Sequence, residues 1–594
     1  RAELHLLNVA SGASTSFVTR GNVRLVSFRP GHNVITFLNR LENDKVTGLY
    51  QIGLSGGEAS LLYKFETSIS SYQWSPDGKT LGFIATKPEV KEKAALPYSP
   101  VLYEQNLSVQ RIYMVEPGQG EARELTVDGH FSALEWSPDG KKLICASAPT
   151  SLVDDSYMAV SLSMVDVATM KVLATIDHQG KMGDFQWSPD GTQIAFIAAS
   201  DLNDPTAGSL FVAPATGGKP TILQKDWEGM FEQIIWQDPG QVHFIGSTGV
   251  ESVYGIIKAD AKSKPVFQSI EKGFAISHFE LAANGRGLFL ADSYNHPTEL
   301  FIEGAGQTAI KRMTDSNPVL KEIEFAKQEV VRYKAKDGLE IEGILIRPLH
   351  EESGKKYPLI TIVHGGPEAH FNNGWLTGYS NPGQTGAAEG YAVFYPNYRG
   401  SNGRGVKFSL TSQGDPAGKE FDDVVDGVDY LIASGLVDAT KVGVTGGSYG
   451  GYATGWLSTR YSDRFAAGVM FVGISNNVSK WGTTDIPKEE YLVHARKWVY
   501  EDYDFFLKRS PVYYADQCKT PLLIMHGEDD PRVHPGQSME LYRHIKSRTT
   551  TPVELVFYPG EGHGNANSTA RYDYNLRLMS WFDKYLKGID KGKS

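Results

Sequence analysis

The sequence contains little cysteine, no excess of basic residues and no long hydrophobic run, and each shortage excludes a class of protein. Only Cys145 and Cys518 are present in 594 residues, too few for a disulfide framework or a cysteine-based metal site. A net charge of −11 repels phosphate backbones, so nucleic acid is not an expected partner. No apolar stretch approaches the length that spans a bilayer, so we expect no membrane span and no membrane partner.

The chain begins at Arg1, without an initiator methionine and without a charged-then-apolar leader. The low cysteine content favours the cytoplasm, whereas a periplasmic or secreted location stays open if a leader was removed before Arg1. A chain of this length is expected to form two or more domains. The composition leaves open whether the chain forms a homo-oligomer.

Residues 1–320 contain a repeated unit in which an aromatic or apolar anchor precedes a tight turn and a short apolar strand. Successive anchors lie 46, 62, 51, 49 and 45 residues apart, a period typical of β-propeller blades. Pro-Asp-Gly turns and short strands fit such blades. The clearest copies are Trp74–Gly78, Trp136–Gly140 and Trp187–Gly191, and weaker copies start at Phe28, Trp236 and Leu281.

Leu4–Val9 reads as the second half of a repeat whose first half is missing. We therefore expect a seven-bladed propeller whose first blade is incomplete, and a full-length protein that extends upstream of Arg1. The longest spacing holds an insertion from Lys87 to Gln110, which we interpret as a solvated loop. In the alternative, an acid such as Glu104 reaches the other domain and binds a substrate amine.

Residues 321–594 alternate apolar strand runs with helical segments, a pattern typical of a doubly wound, mostly parallel sheet. A helix is predicted from Glu420 to Ser434. Active sites in such sheets lie beyond the carboxyl ends of the strands. Besides the strand that leads to Ser448, the runs are Leu359–Val363, Ala392–Tyr395, Ala467–Val472, Leu522–Met525 and Glu554–Phe557.

In the segment Lys441–Tyr452 a β-branched run is followed by a glycine cluster and then by the start of a helical pattern. Gly446 and Gly450 lie two residues on either side of Ser448, which is the spacing of a nucleophile elbow. Small residues are needed there because the strand and the helix pack closely around a strained serine. The alternative is a glycine-rich turn without chemistry.

An activated serine needs a base and an acid, which follow it in the order Ser, Asp or Glu, His in this kind of sheet. We predict His563 as the base, because it lies in a loop just past a strand. The acid lies in the loop after Leu522–Met525, where Asp529 and Asp530 compete. Of the other histidines of this region, His526 is assigned to packing, His534 to a rim or turn, and His544 to the surface.

Acyl transfer also needs two donors for the oxyanion. One is the backbone N–H of Tyr449, the residue after the nucleophile. The second is expected from the loop that begins at His364, where Pro367 has no N–H, so Gly365 or Gly366 must donate. We favour Gly366; a merely tight turn is the alternative.

Taken together, these motifs resemble the prolyl oligopeptidase family of serine peptidases, whose members join a β-propeller to an α/β-hydrolase domain. The resemblance spans the whole chain and favours Asp530 as the acid. The segments that carry it are Asn397–Gly403, Gly446–Gly451, His526–Val533 and Gly562–Gly564.

The resemblance implies further roles. Arg532 matches an arginine that binds a substrate carbonyl, and Val533 and Trp481 match positions that line the pocket for the residue before the cut. Core packing is the alternative for Trp481. His364 stands where several members carry tyrosine, so the loop is more similar to the acylaminoacyl-peptidase and dipeptidyl-peptidase branch, and strict proline specificity is not implied.

We therefore predict a serine peptidase that hydrolyses short peptides through an acyl-enzyme on Ser448, without metal or cofactor. The propeller over the catalytic domain is expected to restrict access to short substrates. An esterase or amidase for non-peptide substrates is the first alternative, since the fold does not fix the leaving group. A non-enzymatic propeller scaffold with an inert hydrolase domain is the second.

Overall fold

The computed structural model describes residues 2–89, 98, 100–268, 272–303 and 310–590. Residues 90–97 and 99 of the predicted insertion lie outside this range. Glu104 lies within it and is exposed, in a loop.

The first half of the chain folds into antiparallel sheets that follow one another as the blades of a propeller. A two-stranded sheet comes first, and six four-stranded sheets come after it. The first three four-stranded sheets are Arg24–Phe28, Val34–Asn39, Gly48–Gly53 and Ser60–Tyr63; Ile69–Trp74, Leu81–Thr86, Gln110–Glu116 and Gln119–Glu124; and His130–Trp136, Lys142–Ala148, Ser161–Asp166 and Lys171–Thr175. The last three are Met182–Trp187, Gln193–Ala198, Ser209–Pro214 and Thr221–Leu223; Met230–Asp238, Gln241–Thr248, Glu251–Lys258 and Val266–Gln268; and Phe274–Leu281, Gly287–Ser293, His296–Glu303 and Ile310–Arg312.

The repeated motif explains both the turns and the contacts between blades. The hydroxyl of Ser75 donates to the carboxylate of Asp77 at 2.6 Å, and Gly78 has the positive φ of 68° that the turn requires. The indole N–H of Trp136 donates to the carbonyl oxygen of Gln73, 3.3 Å away in the preceding blade. The indoles of Trp74 and Trp187 likewise donate to the preceding blade, so the three clearest anchors tie neighbouring blades together.

The two-stranded sheet, Leu4–Leu7 paired with Ser14–Val18, stands where the incomplete first blade is predicted. The described residues therefore form a propeller with six complete blades, fewer than the seven blades that the sequence predicts.

The second half of the chain is an α/β-hydrolase domain built on one eight-stranded sheet. The first strand and its neighbour pair antiparallel, and so do the second and third in sheet order; the other pairs are parallel. The predicted boundary at residue 320 falls between the last propeller strand and the first strand of this sheet. In sheet order the strands are Gln328–Lys334, Glu340–Ile346, Ala392–Asn397, Tyr357–Val363, Val437–Gly447, Ala467–Phe471, Leu522–Gly527 and Val553–Tyr558.

Helices cover both faces of this sheet, and large apolar clusters fill the space beneath them. One short helix, Val153–Met158, belongs to the propeller and reaches the hydrolase domain. The α-helices of the hydrolase domain are Gly383–Ala388, Val406–Ser409, Lys419–Ala433, Tyr449–Thr459, Asn477–Lys480, Pro487–Glu489, Tyr503–Lys508, Gly536–Arg548 and Ser568–Phe582. The 3₁₀ and π segments are Pro318–Glu322, Leu410–Ser412, Ser462–Arg464, Glu490–Ala495, Val499–Glu501, Pro511–Gln517 and Asp583–Lys587.

Within the described part of the chain, none of the helices has both the length and the apolar character that crossing a bilayer requires.

Candidate active site

Ser448 sits at the turn between the strand Val437–Gly447 and the helix Tyr449–Thr459. Its backbone has φ of 59° and ψ of −121°, a conformation that non-glycine residues rarely adopt. A Cβ atom at Gly446 or at Gly450 would lie 2.4 Å or 2.0 Å from the carbonyl oxygen of Val363 in the neighbouring strand. Both glycines are therefore required for the close packing that holds the serine in place.

The predicted acid and base lie together. Asp530 Oδ2 is 2.7 Å from His563 Nδ1, and the aspartate side chain is fully buried while the histidine side chain is 26% exposed. Ser448 and His563 line the same cavity. In this geometry the aspartate orients the imidazole, as in a catalytic triad. The imidazole is free to face a serine and a substrate.

Backbone and side-chain donors keep Asp530 charged. The N–H groups of Arg532 and Val533 donate to Oδ1 at 2.9 and 3.1 Å, and His526 Nε2 lies 3.1 Å from Oδ2. Burial opposes ionisation of this carboxyl, but the contacts with His526 and His563 hold its pKa well below the usual range. A charged partner favours the imidazolium that forms when His563 accepts a proton.

The remaining predicted residues of this region fall where the sequence places them. His526 is fully buried and also bonds to Ser538 Oγ at 2.6 Å, so it supports the acid from behind. Asp529, His534 and His544 are exposed.

The loop after the strand Tyr357–Val363 lies directly against the elbow. A Cβ atom at Gly365 would lie 3.2 Å from the Cβ of Ser448, and Gly366 has φ of 111°. The loop is held by His364, whose Nε2 is 2.8 Å from the hydroxyl of Ser401. Burial lowers the pKa of His364 to about 3, so the ring stays neutral. Gly366 and Tyr449 both line the cavity, as oxyanion donors must.

The cavity at Ser448 has a volume of about 350 Å³ and lies between the two domains. Arg532 lines it, as the resemblance implies, and its Nε is 2.5 Å from Asp485 Oδ1. Its guanidinium also lies 5.1 Å from the ring centre of Tyr157, a propeller residue, whose hydroxyl is 3.3 Å from Nη1. The propeller therefore helps to position the arginine.

Val533 also lines the cavity, but Trp481 does not belong to its lining. The Trp481 ring packs against Trp498 and Phe506, with ring centres 5.1 and 5.8 Å away. Lys480 faces the cavity instead, and successive side chains of a helix point about 100° apart. For Trp481 the packing alternative therefore holds. Glu104 is likewise not part of the lining.

A buried charged cluster, which the sequence analysis did not find, forms one wall of the cavity. The Lys181 ammonium of the propeller pairs with the carboxylates of Glu489 and Glu368, and the Glu368 contact measures 3.6 Å. His494 Nε2 is 2.8 Å from Glu368, and its Nδ1 is 3.4 Å from Glu490. Burial alone would raise the pKa of Glu368, but His494 and Lys181 hold it well below its usual value.

Metal ligation has one candidate in the described part of the chain. Glu368, Glu489 and His494 offer ligand atoms that all lie within 4.8 Å of one another. The Lys181 ammonium already supplies a positive charge to both carboxylates. The triad chemistry needs no metal there, because the attacking group is the serine hydroxyl.

Comparison with known proteins places this site in a family. Residues 378–588 match the model of the prolyl oligopeptidase family. The chain carries a prolyl oligopeptidase family domain. It is a serine-type peptidase, with the β-propeller and α/β-hydrolase domain that the resemblance implies.

Among curated proteins, an uncharacterised peptidase of Bacillus subtilis, YuxL, is 29% identical over 94% of this chain and 89% of that protein. Dipeptidyl aminopeptidase BIII of Pseudoxanthomonas mexicana is 32% identical over 67% of this chain and 59% of that protein. Among solved structures, the acylaminoacyl peptidase of Pyrococcus horikoshii has a TM-score of 0.81 at 21% identity, covering 99% of this chain and 92% of that one. This last likeness supports the fold.

Proposed function

We propose that this serine peptidase hydrolyses short peptides as an exopeptidase or oligopeptidase, in the manner of the acylaminoacyl- and dipeptidyl-peptidases. The observation that carries the proposal is the cavity at Ser448, which is enclosed by residues of both domains. Tyr157 and Lys181 of the propeller face the catalytic residues, so a substrate must fit between the domains. A folded protein chain is too large for a space of about 350 Å³.

The geometry of the site supports the following reaction. His563 takes the proton of the Ser448 hydroxyl as the serine attacks the carbonyl carbon, and Asp530 stabilises the resulting imidazolium. The N–H groups of Tyr449 and Gly366 hold the negative oxygen of the tetrahedral intermediate. The imidazolium then donates its proton to the leaving amine, which departs and leaves an acyl group on the serine. Water, activated by His563, releases that acyl group.

A panel of chromogenic peptides tests the proposal. It varies the number of residues before the cut, the state of the N-terminus, free or acetylated, and the residue before the cut. We expect hydrolysis of short peptides and little cleavage of a folded protein that contains the same peptide sequences. Equal rates on short peptides and on intact folded proteins would overturn the proposed restriction.

We also infer that the two-stranded sheet Leu4–Leu7 and Ser14–Val18 takes the ring position of a seventh blade. On one side, Leu4 and Val18 share an apolar cluster with Ile35 and Phe37 of the first four-stranded blade. On the other side, residues of this sheet and of the segment after the last blade line a common cavity. Hydrogen exchange tests this inference: we expect protected amides in both strands, and exchange as fast as in an unfolded peptide would contradict it.

A further inference from the structure

The charged cluster beside Ser448 already holds an alkylammonium group, that of Lys181. The carboxylates of Glu368 and Glu489 contact it, and ligand atoms of these two residues and of His494 lie within 4.8 Å of one another. The site is nearly closed to solvent, because the Glu489 and Glu368 side chains are only 5% and 10% exposed. It therefore offers a primary ammonium ion two carboxylates, whose charge-assisted hydrogen bonds offset the cost of burying the cation.

The carboxylates and the ammonium group of this site come from different domains. Both carboxylates that contact the ammonium belong to the hydrolase domain, whereas Lys181 precedes the propeller strand Met182–Trp187. The Lys181 side chain is 16% exposed, more than either carboxylate that it contacts. Its flexible stem allows the ammonium to leave while the acceptors stay in place.

The site is also next to the reacting atoms. Glu368 follows the oxyanion loop, two residues after Gly366, and the ring of His494 lies 6.2 Å from that of Tyr449. These residues line the cavity together with Ser448. A substrate whose carbonyl oxygen reaches the two oxyanion donors therefore brings its neighbouring groups close to this cluster.

The formal charge of the wall is negative. Three carboxylates, those of Glu368, Glu489 and Glu490, face two ammonium groups, those of Lys181 and Lys480. Burial lowers the pKa of Lys480 to about 7, and its ammonium also pairs with Glu490. The carboxylates of the cluster therefore outnumber the ammonium groups that contact them.

We propose that this cluster is a specificity site for a lysine side chain in the substrate residue before the cut, with Lys181 as its resident ligand in the free enzyme. On binding, the substrate ammonium takes over contacts with Glu489 and Glu368, and Lys181 moves toward solvent. The inference rests on the proposed function, since it names the substrate class of the same site.

Three acetylated chromogenic peptides that differ only before the cut test the inference: lysine, norleucine and glutamate. We expect the lysine peptide to exceed the norleucine peptide by about tenfold in kcat/KM, the effect of a charged hydrogen bond. Glu489→Gln removes this preference. Lys181→Met lowers KM for the lysine peptide, because the resident competitor is gone. Equal or better hydrolysis of the norleucine peptide would overturn the inference.

Lys488→Met is the matched control for Lys181→Met. Lys488 also joins the two domains, through Asp155 Oδ1 at 2.6 Å, but it does not line the cavity. We expect no change in the lysine preference of this variant. If Lys181→Met and Lys488→Met lower the hydrolysis of all three peptides alike, Lys181 only joins the domains and the inference fails.

Two further measurements separate this inference from the proposed function. Butylamine should slow the labelling of Ser448 by a fluorophosphonate, and more strongly in Lys181→Met, whether or not any peptide is cleaved. Butylamine without effect on labelling would contradict the cation site even in an active peptidase. The last comparison is between norleucine peptides with a free and with an acetylated N-terminus. If the enzyme prefers the free amine but does not prefer lysine before the cut, the cluster binds the substrate N-terminus instead.

Discussion

The two walls of the cavity are built in opposite ways. On the catalytic wall, Asp530 and His563 come from loops of one domain, and backbone N–H groups fix the acid in place. On the charged wall, Lys181 of the propeller meets Glu489 and Glu368 of the hydrolase domain through side-chain charges. The first wall is preorganised, whereas the second can be rearranged.

This difference assigns the two walls different parts of the reaction. Preorganised donors stabilise the charge that develops at the transition state without a cost of rearrangement. Side-chain ion pairs between domains can exchange partners, which suits the recognition of a substrate that must enter and leave. Changes on the catalytic wall should therefore lower kcat for every substrate, and changes on the charged wall should alter KM and the choice of substrate.

The largest effect is expected for Ser448→Ala. Removal of the nucleophile should lower kcat by about 10⁶-fold, as it does in other serine peptidases. Hydrolysis of an acetylated chromogenic peptide measures the effect. Ser458→Ala, in the helix that follows the elbow, is the control and should keep its activity. A Ser448→Ala enzyme within tenfold of the wild type would remove the basis for the catalytic wall.

Asp530→Asn should lower kcat by about 10⁴-fold, since an amide cannot stabilise the imidazolium on His563. KM should change little, because Asp530 is buried behind the histidine and does not line the cavity. The neighbouring exposed Asp529 gives the control, Asp529→Asn, with near wild-type kcat. If the two variants were equally active, Asp529 and Asp530 would have to exchange roles.

The sequence indicated the catalytic wall because short motifs encode it. The glycines around Ser448 and the order of Asp530 and His563 follow from local backbone requirements and chain order. The charged wall has no such local signal, since Lys181 and Glu489 lie 308 positions apart. Trp481 was placed in the pocket by resemblance, yet the helix turns Lys480 toward the cavity instead. The strands of both domains were readable from turns and apolar runs, because these depend on neighbouring residues.

The oxyanion loop should make stability depend on pH. The pKa of His364 is about 3 in the folded chain and ordinarily 6.5 when unfolded, so the unfolded chain binds the extra proton between these values. The free energy of unfolding should therefore fall as pH drops from 6.5 toward 3, by about 1.4 kcal/mol per pH unit from this residue.

His364→Gln tests this dependence by chemical denaturation at pH 4 to 6. The slope of stability against pH should be smaller in the variant, even if its absolute stability is lower. The exposed His544, replaced by Gln, is the control and should leave the slope unchanged. An unchanged slope in His364→Gln would show that another group titrates in this range.

A smaller effect is expected where the propeller supports the charged wall. The buried carboxylate of Asp154 accepts from the backbone N–H groups of Lys488 and Glu489, at 2.6 and 3.0 Å. Asp154→Ala leaves both donors without this acceptor and should cost about 1 kcal/mol of stability. KM for short peptides should rise while kcat stays near the wild-type value, because Glu489 loses its support.

Peptide kinetics and thermal unfolding measure both effects, with the exposed Ser156→Ala in the same helix as the control. A fall in kcat without a change in KM would mean that the two walls are not independent.

The central claim is that Ser448 forms an acyl-enzyme with a peptide substrate. Mass spectrometry of the enzyme, quenched with acid during turnover of an acetylated chromogenic peptide, tests it directly. We predict a mass increase equal to the acyl fragment, which peptide mapping assigns to Ser448 and which is absent in Ser448→Ala. Turnover without any adduct in wild-type enzyme, or an adduct on another residue, would contradict the account.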